Sequence, residues 1–365
     1  MTQTQKITIG PFNPELEESV YFKLEADENR VVTHVEIING FIHRGMESLV
    51  TKKNFMQNLI LTERVCSLCS NNHPFTYALA VEKIAGIKVP LRAEALRVIA
   101  DEVKRVASDL FNLSMLTHLA HHHELMRDTM NTREHMQDLK EIIWGNRMDM
   151  SANQLTGTKY DLDEKKIELI IDTLDRVEPK LRDLQERYEN DEIFREKTVG
   201  VGVLPYEDAI EIGVTGPVAR GSGINNDVRV MAPYSLYAYR KELQPKVTLR
   251  EEGDVHARAM ARFGDILEAV RIIRDVVADM PEGDTYVEKR PHIPAGEAVV
   301  RTEAPRGELI YYLKTDGSQK PVRMRWKVPT FTNWEALKVM ILGDKVDNVT
   351  MILNSIDPCI SCTER

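Results

Sequence analysis

Between Leu91 and Leu119, apolar residues recur three and four positions apart: Leu91, Ala95, Val98, Ile99, Val103, Val106, Leu110, Leu113, Leu116 and Leu119. That stripe, opened by Pro90, predicts one long amphipathic helix reaching about His121, on the order of 45 Å at 1.5 Å per residue. Similar spacing predicts a second helix over Asp163–Tyr188, with Pro179 as a kink, and a third over Asp254–Met280. Near the N-terminus the period shortens. Val20–Leu24 and Val31–Ile38 flank the polar turn Ala26–Arg30, and Val31, Val35 and Ile37 face one side of a half-buried strand. Past Pro294 the two-residue period returns in Glu297–Thr302, Glu308–Lys314 and Val322–Val328, with Asp316-Gly317 as a hairpin turn. Phe331–Ile341 is helical again, and Ile212–Arg229, rich in Gly, Pro and Asn, keeps no period and reads as an ordered loop.

The predicted fold class is α+β: a bundle of long helices with small antiparallel sheets from both ends of the chain. Three stretches divide it, residues 1–52 (β), 53–290 (helical, with the glycine-rich loop 212–229) and 291–365 (β plus tail), intertwined as one domain. At 365 residues with 42% hydrophobic and 29% charged, the composition is that of a globular protein. A net charge of -9 disfavours a nucleic-acid footprint, so no nucleic-acid partner is expected. No run approaches the roughly 20 apolar residues of a membrane span, and Met1–Lys6 carries no signal-peptide core.

Candidate chemistry changes the picture at four positions. The four cysteines form two Cys-x-x-Cys pairs, Cys66/Cys69 and Cys359/Cys362, with nearly the whole chain between them. Two such pairs supply four soft thiolates for one metal site. Structural zinc ribbons place their pairs about 15–20 residues apart, so this spacing suits a local zinc knuckle poorly. A structural four-cysteine zinc site and four incidental thiols remain the bland readings. Four cysteines are too few for a disulfide framework.

The segments around these cysteines, Arg64–His73 (RVCSLCSNNH) and Asp357–Arg365 (DPCISCTER), resemble the R-x-C-x-x-C-x-x-x-H and D-P-C-x-x-C motifs of the large subunit of nickel–iron hydrogenases. Their serine-rich form is similar to the energy-converting, membrane-complex branch, the Ech and CO-induced type, related to the 49-kDa subunit of complex I. The likeness extends to Gly10–Glu18 (GPFNPELEE, with Asn13 and Ser19 in place of the usual His and Pro), His43–Glu47 (HRGME), Gly213–Arg229, Glu303–Gly307 (EAPRG) and Pro329-Thr330. It is weakest over 124–190.

That resemblance implies an activity, the reversible reduction of protons to dihydrogen, coupled to ion translocation through membrane subunits. It implies Cys66 and Cys359 as terminal nickel ligands and Cys69 and Cys362 as bridges to an iron carrying carbon monoxide and cyanide. His73 would hydrogen-bond the bridging sulfur of Cys69, four residues before it. Arg306 would hang over the metals, Pro329 and Thr330 would meet a cyanide, and Asp357 would stand close to Arg306. Protons leaving Cys362 would pass to Glu18, with Glu17 as its neighbouring rival, and Asp109 would lie nearby on the long helix. With all four thiols committed, no iron–sulfur cluster is expected in this chain. Electrons would then come through an iron–sulfur small subunit and a ferredoxin-like subunit, beside integral membrane subunits, at the cytoplasmic side of the cell membrane. A complex I-like quinone-reductase subunit is the alternative enzyme, and the four thiols speak against it.

Other residues read more plainly. In many relatives the counterpart of Glu47 and a C-terminal histidine hold a metal ion; Arg365 stands where that histidine would be, and a guanidinium cannot ligate a cation. A Glu47–Arg365 ion pair is expected instead. His118, His121, His122 and His123 read as the polar end of the long helix, and Trp326 and Trp334 as core residues. The glycine-rich loop lacks the context of a nucleotide site.

Overall fold

A computed structural model describes residues 4–288 and 290–365. Met1–Gln3, within the stretch read for a signal peptide, lie outside the described residues.

Three strands open the chain. β1 (Gln5–Ile9), β2 (Tyr21–Ala26) and β3 (Val32–Ile38) form an antiparallel sheet in that order, with Leu24 opposite both Ile7 and Val35. Alternation in β2 buries Phe22, Leu24 and Ala26. Short helices α1 (Met46–Val50) and α2 (Phe55–Thr62) follow, and Asn54 opens α2 with a reciprocal capping box to Gln57.

Helix α3 (Asn72–Ala85) leads to α4 (Leu91–Leu119), the spine that the apolar stripe predicts. The amphipathic expectation holds for only one side of it. Arg97, Asp101, Glu102, Lys104, Arg105 and Asp109, on the expected wet face, are all buried. Helix α4 runs through the middle of the molecule, so its charges meet protein partners in place of water. Glu102, for example, accepts from Arg105 Nε (2.9 Å), Arg229 Nη1 (2.9 Å) and Tyr237 (2.5 Å).

The spine ends among the histidines, with His118 in its last turn. His121 takes a left-handed φ of 58°, and His122 caps a new helix by accepting from the Leu125 amide at 3.2 Å. Helix α5 (His123–Trp144) was not legible as a separate element, because its apolar positions are sparse and its surface heavily charged. After the short pair β4 (Asn153–Gln154) and β5 (Gly157–Thr158), α6 (Glu164–Asn190) continues unbroken past Pro179. Helices α7 (Glu192–Thr198) and α8 (Tyr206–Ile212) lead into the glycine-rich segment.

That segment is not all loop. Gly216 precedes α9 (Pro217–Gly221), and Asp227 caps α10 (Val228–Met231), each too short for hydrophobic periodicity to register. Next come α11 (Leu236–Tyr239) and α12 (Val255–Ala278), the latter capped by Asp254, whose side chain accepts from Ala257 N at 2.7 Å. A second antiparallel sheet, β6 (Ala295–Ala304), β7 (Gly307–Asp316) and β8 (Pro321–Lys327), packs on α3. The chain finishes with α13 (Pro329–Ile341), α14 (Val349–Ser355) and α15 (Ile360–Glu364). This is an α+β fold, as the sequence predicts.

Among the described residues two apolar cores result. The larger joins the first sheet with α4, α5, α6, α12 and α14. The smaller lies between α2, α3 and the second sheet and contains all four cysteines together with Tyr311 and Trp326. Trp326 stacks on Tyr311 with ring centroids 5.5 Å apart, and Trp334 is buried in the larger core.

Candidate metal centre

The first cysteine pair sits in the turn between α2 and α3, the second at the start of α15. Their sulfurs, one per residue, all lie within 4.8 Å of one another, and all four residues are buried. Cys359 Sγ is 2.8 Å from Cys362 Sγ, 3.0 Å from Cys66 Sγ and 3.9 Å from Cys69 Sγ. Contact with Cys359 lowers the thiol pKa of Cys66 and Cys69, while burial pushes those of Cys359 and Cys362 up. Four soft donors converging in a buried pocket fit a nickel–iron centre.

Two remote segments converge because a third binds both. From His43–Glu47, Arg44 Nη2 donates to the carbonyls of Val65 (2.6 Å) and Ser361 (2.8 Å), one beside each pair. The amide nitrogens of Arg44 and Gly45 donate to the Arg365 carbonyl, and His43 Nδ1 contacts that of Glu364. Arg365 Nε lies 2.9 Å from Glu47, the ion pair that the sequence suggests, and Arg325 approaches the same carboxylate at 3.8 Å.

Arg306 occupies the two-residue turn of the β6–β7 hairpin, closed by the Ala304–Gly307 pair. It is 2% exposed. Its Nη2 donates to Asp357 Oδ1 (2.7 Å), its Nε to the Asp357 carbonyl (2.8 Å) and its Nη1 to Ser108 Oγ (3.1 Å), with Cys69 Sγ 3.9 Å away. Burial alone would ease its proton off; Asp357 and the neighbouring thiolates hold the guanidinium charged. Asp357 itself has a left-handed φ of 56° just before Pro358.

The close placement of Arg306 depends on two glycines that the motif reading carried without a reason. A Cβ at Gly216 (φ 68°) would lie 2.6 Å from the Arg306 carbonyl carbon, and one at Gly307 (φ 122°) would lie 2.7 Å from Gly216 N. Only glycine allows this contact of two backbones.

His73 is buried, but its partner is not Cys69. Nε2 lies 3.2 Å from Cys362 Sγ, because α3 turns the ring away from the preceding pair and toward α15. Nδ1 lies 2.7 Å from the Tyr311 hydroxyl. A metal-bound thiolate only accepts, so with Cys362 in that form Nε2–H would donate to sulfur and Nδ1 would accept from Tyr311. Burial pushes the His73 pKa down to about 4, which keeps the ring neutral. Thr330 Oγ1 accepts from the Cys359 amide at 3.0 Å, so its own hydrogen remains available to a ligand. Cys69, His73, Arg306, Pro329, Thr330, Cys359 and Cys362 line one small cavity.

Glu18 binds both the amide (2.8 Å) and the hydroxyl of Ser361, the residue before Cys362. Burial raises its pKa, opposed by these bonds. Glu17 lies deeper: its Oε1 is buried without a hydrogen-bond partner among the described residues, and burial beside Asp357 raises its pKa to about 8. Both carboxyl oxygens of Asp109 are buried in the same unpartnered state, and burial beside Asp265 holds its pKa well above the usual range. Ser108 and Tyr311 escaped the sequence reading, since no motif marks them, and Ser361, inside the second cysteine motif, was given no role; each neighbours or faces a residue that a motif marks.

Comparison with known proteins agrees with this geometry. Residues 44–162 match the nickel-dependent hydrogenase family, and residues 124–292 and 285–365 match the 49-kDa subunit of respiratory-chain NADH dehydrogenase. The chain is 51% identical to the carbon monoxide-induced hydrogenase of Rhodospirillum rubrum over 99% of both chains. It is 34% identical to the membrane-bound hydrogenase subunit alpha of Pyrococcus furiosus, over 99% of this chain and 87% of that one. A subunit of the membrane-bound sulfane sulfur reductase, an archaeal respiratory membrane complex, superposes with a TM-score of 0.93 at 28% identity, covering 99% of this chain and 98% of that one. The chain therefore belongs to the family that unites nickel-dependent hydrogenase large subunits with the complex I 49-kDa subunit. Within that family it is a catalytic subunit of the energy-converting hydrogenase type, an oxidoreductase acting on hydrogen.

Proposed function

We propose that Cys66, Cys69, Cys359 and Cys362 would together hold a nickel–iron centre whose iron would carry carbon monoxide and cyanide. The observation that carries this reading is the four buried sulfurs within 4.8 Å of one another, beside the Arg306–Asp357 pair. When bound, the metals supply the redox chemistry that splits or forms dihydrogen.

The residues of the chain do the rest. Arg306, held on three sides, presents a fixed cation to anionic ligands and to the polarised dihydrogen bond. Thr330 offers its hydroxyl hydrogen, and Pro329 its ring, to a cyanide. His73 donates to Cys362 Sγ and so stabilises the anionic sulfur that receives the proton. From that sulfur the proton leaves to Glu18, bound one residue away at Ser361. Glu17, protonated at neutral pH, is a reserve acid next to Asp357.

All four thiols are spent on this centre, so electrons come from a partner: an iron–sulfur small subunit fed by a ferredoxin-like subunit. Among the described residues no helix is long and apolar enough to cross a membrane. The membrane complexes of its relatives support docking of this chain on integral membrane subunits; the cytoplasmic side is the face the family resemblance implies. Elemental analysis and infrared spectroscopy of the purified protein test the centre. Nickel and iron with carbon monoxide and cyanide bands are expected; zinc alone would refute it. Cys362→Ala should abolish hydrogen turnover, and a variant that kept it would defeat the proton route.

A further inference from the structure

Behind the Cys66–Cys69 turn lies a cluster of buried charges that hydrogen chemistry leaves unused. Lys104 of α4 is 3% exposed and commits all three ammonium hydrogens: to Ser70 Oγ (2.9 Å), Asp149 Oδ1 (3.1 Å) and the Ser67 carbonyl (3.3 Å). Two of those partners belong to the turn that carries the first pair of thiols. Ser70 Oγ also lies 3.0 Å from Asp149 Oδ1 and from the Ser67 carbonyl, so the hydroxyl joins the turn to the carboxylate.

Asp149 adopts a left-handed φ of 51° just beyond α5 and is 1% exposed. From α5 itself, Lys140 places Nζ 3.3 Å from Asp149 Oδ2 and 3.0 Å from Gln137 Oε1, and it too is buried. Two lysine side chains therefore share one carboxylate, and burial pushes the Lys140 pKa down to about 7. An extra buried cation is costly, and an apolar side chain of similar length would fill the same space at less expense. Three separate elements, α4, α5 and the loop after it, bring these groups to one turn. The arrangement makes sense if its positive field and its grip both act on the thiolates in front of it.

Resting on the nickel–iron reading, we propose that Lys104, seated by Asp149 and backed by Lys140, is a positioning residue for the metal centre: it locks the Cys66–Ser70 turn and places a cation behind the Cys66 and Cys69 thiolates. The grip runs through Ser70 and the Ser67 carbonyl.

The test uses the intact complex carrying Ser70→Ala, Lys104→Met or, as a matched loss of a buried hydroxyl far from the site, Thr198→Ala. Nickel per chain is measured first, then the rate of nickel release to a chelator, then the infrared bands of the diatomic ligands. Ser70→Ala and Lys104→Met should each release nickel about tenfold faster than the parent, the low end of the 10–100-fold typical of residues that orient metal ligands. Lys104→Met, which removes charge, should also shift the bands; Ser70→Ala, which does not, should leave them in place. Parental release rates in both Ser70→Ala and Lys104→Met would overturn the proposal. So would a Thr198→Ala variant that loses nickel as fast as Ser70→Ala, since the effect would then be general loosening. A parent complex without nickel would instead refute the nickel–iron reading itself.

Discussion

Replacing Arg306 with lysine keeps a positive charge in the buried site and removes the fork that aims it. The guanidinium satisfies Asp357 twice, at Oδ1 (2.7 Å) and at the backbone carbonyl (2.8 Å), and reaches Ser108 at 3.1 Å. A lysine ammonium on its flexible stem cannot span all three directions. If it stays on Oδ1, the Asp357 carbonyl and Ser108 Oγ lose their donor inside a dry core, at about 1–3 kcal/mol each. Loss of one aimed donor at a reacting charge costs about 10²–10³ in rate. Nickel content should be unchanged, because the four thiols are untouched. The assay is isotope exchange between dihydrogen and deuterated water, which reads cleavage at the site without any electron donor, alongside nickel per chain. An Arg306→Lys variant whose activity stayed within about threefold of the parent at equal nickel would refute the role given to the guanidinium.

Three further outcomes follow from the same geometry. Glu17 has a folded pKa of about 8 against an ordinary 4.5, so its proton stabilises the fold at low pH, and that contribution is lost as pH rises through 8. Glu17→Gln should therefore gain on the parent between pH 5 and pH 9, by on the order of 2 kcal/mol in chemical unfolding once solvent screening is counted; a constant difference would refute the buried carboxyl. Gly216→Ala meets the Arg306 backbone at 2.6 Å, so isotope exchange should fall at least tenfold and stability by about 1–3 kcal/mol, measured as in the first experiment; parental values would show that the two turns do not press together. Glu18→Gln keeps the Ser361 contacts but cannot carry a proton, so exchange with solvent should drop about 10²-fold or more while nickel is retained, and wild-type exchange would assign the relay elsewhere.

Much of the fold was legible because long helices announce themselves through repeated apolar spacing. The spine from Leu91 to Leu119 and the strands of the second sheet fall close to their predicted bounds. Helix α5 was hidden by its charged surface, and His121 and His122 form a turn and a cap where the sequence suggested the polar end of the long helix. Helices α9 and α10, of five and four residues, are too short for any period to show. The buried charges of α4 read as a wet face, since residue type reports polarity but not which neighbour satisfies it.

The cysteine pairs, the histidine after the first of them and the arginine between two hairpin strands were picked out by sequence alone, because the motifs that carry them are short and contiguous. Tertiary structure decided which sulfur His73 serves, which of two adjacent glutamates stands open to Ser361 and which lies buried beside Asp357, and what lies behind the first cysteine turn. Those choices rest on a few ångströms of approach between segments tens to hundreds of residues apart. Hydrogen bonding and desolvation act over such distances in space, and local sequence does not encode them.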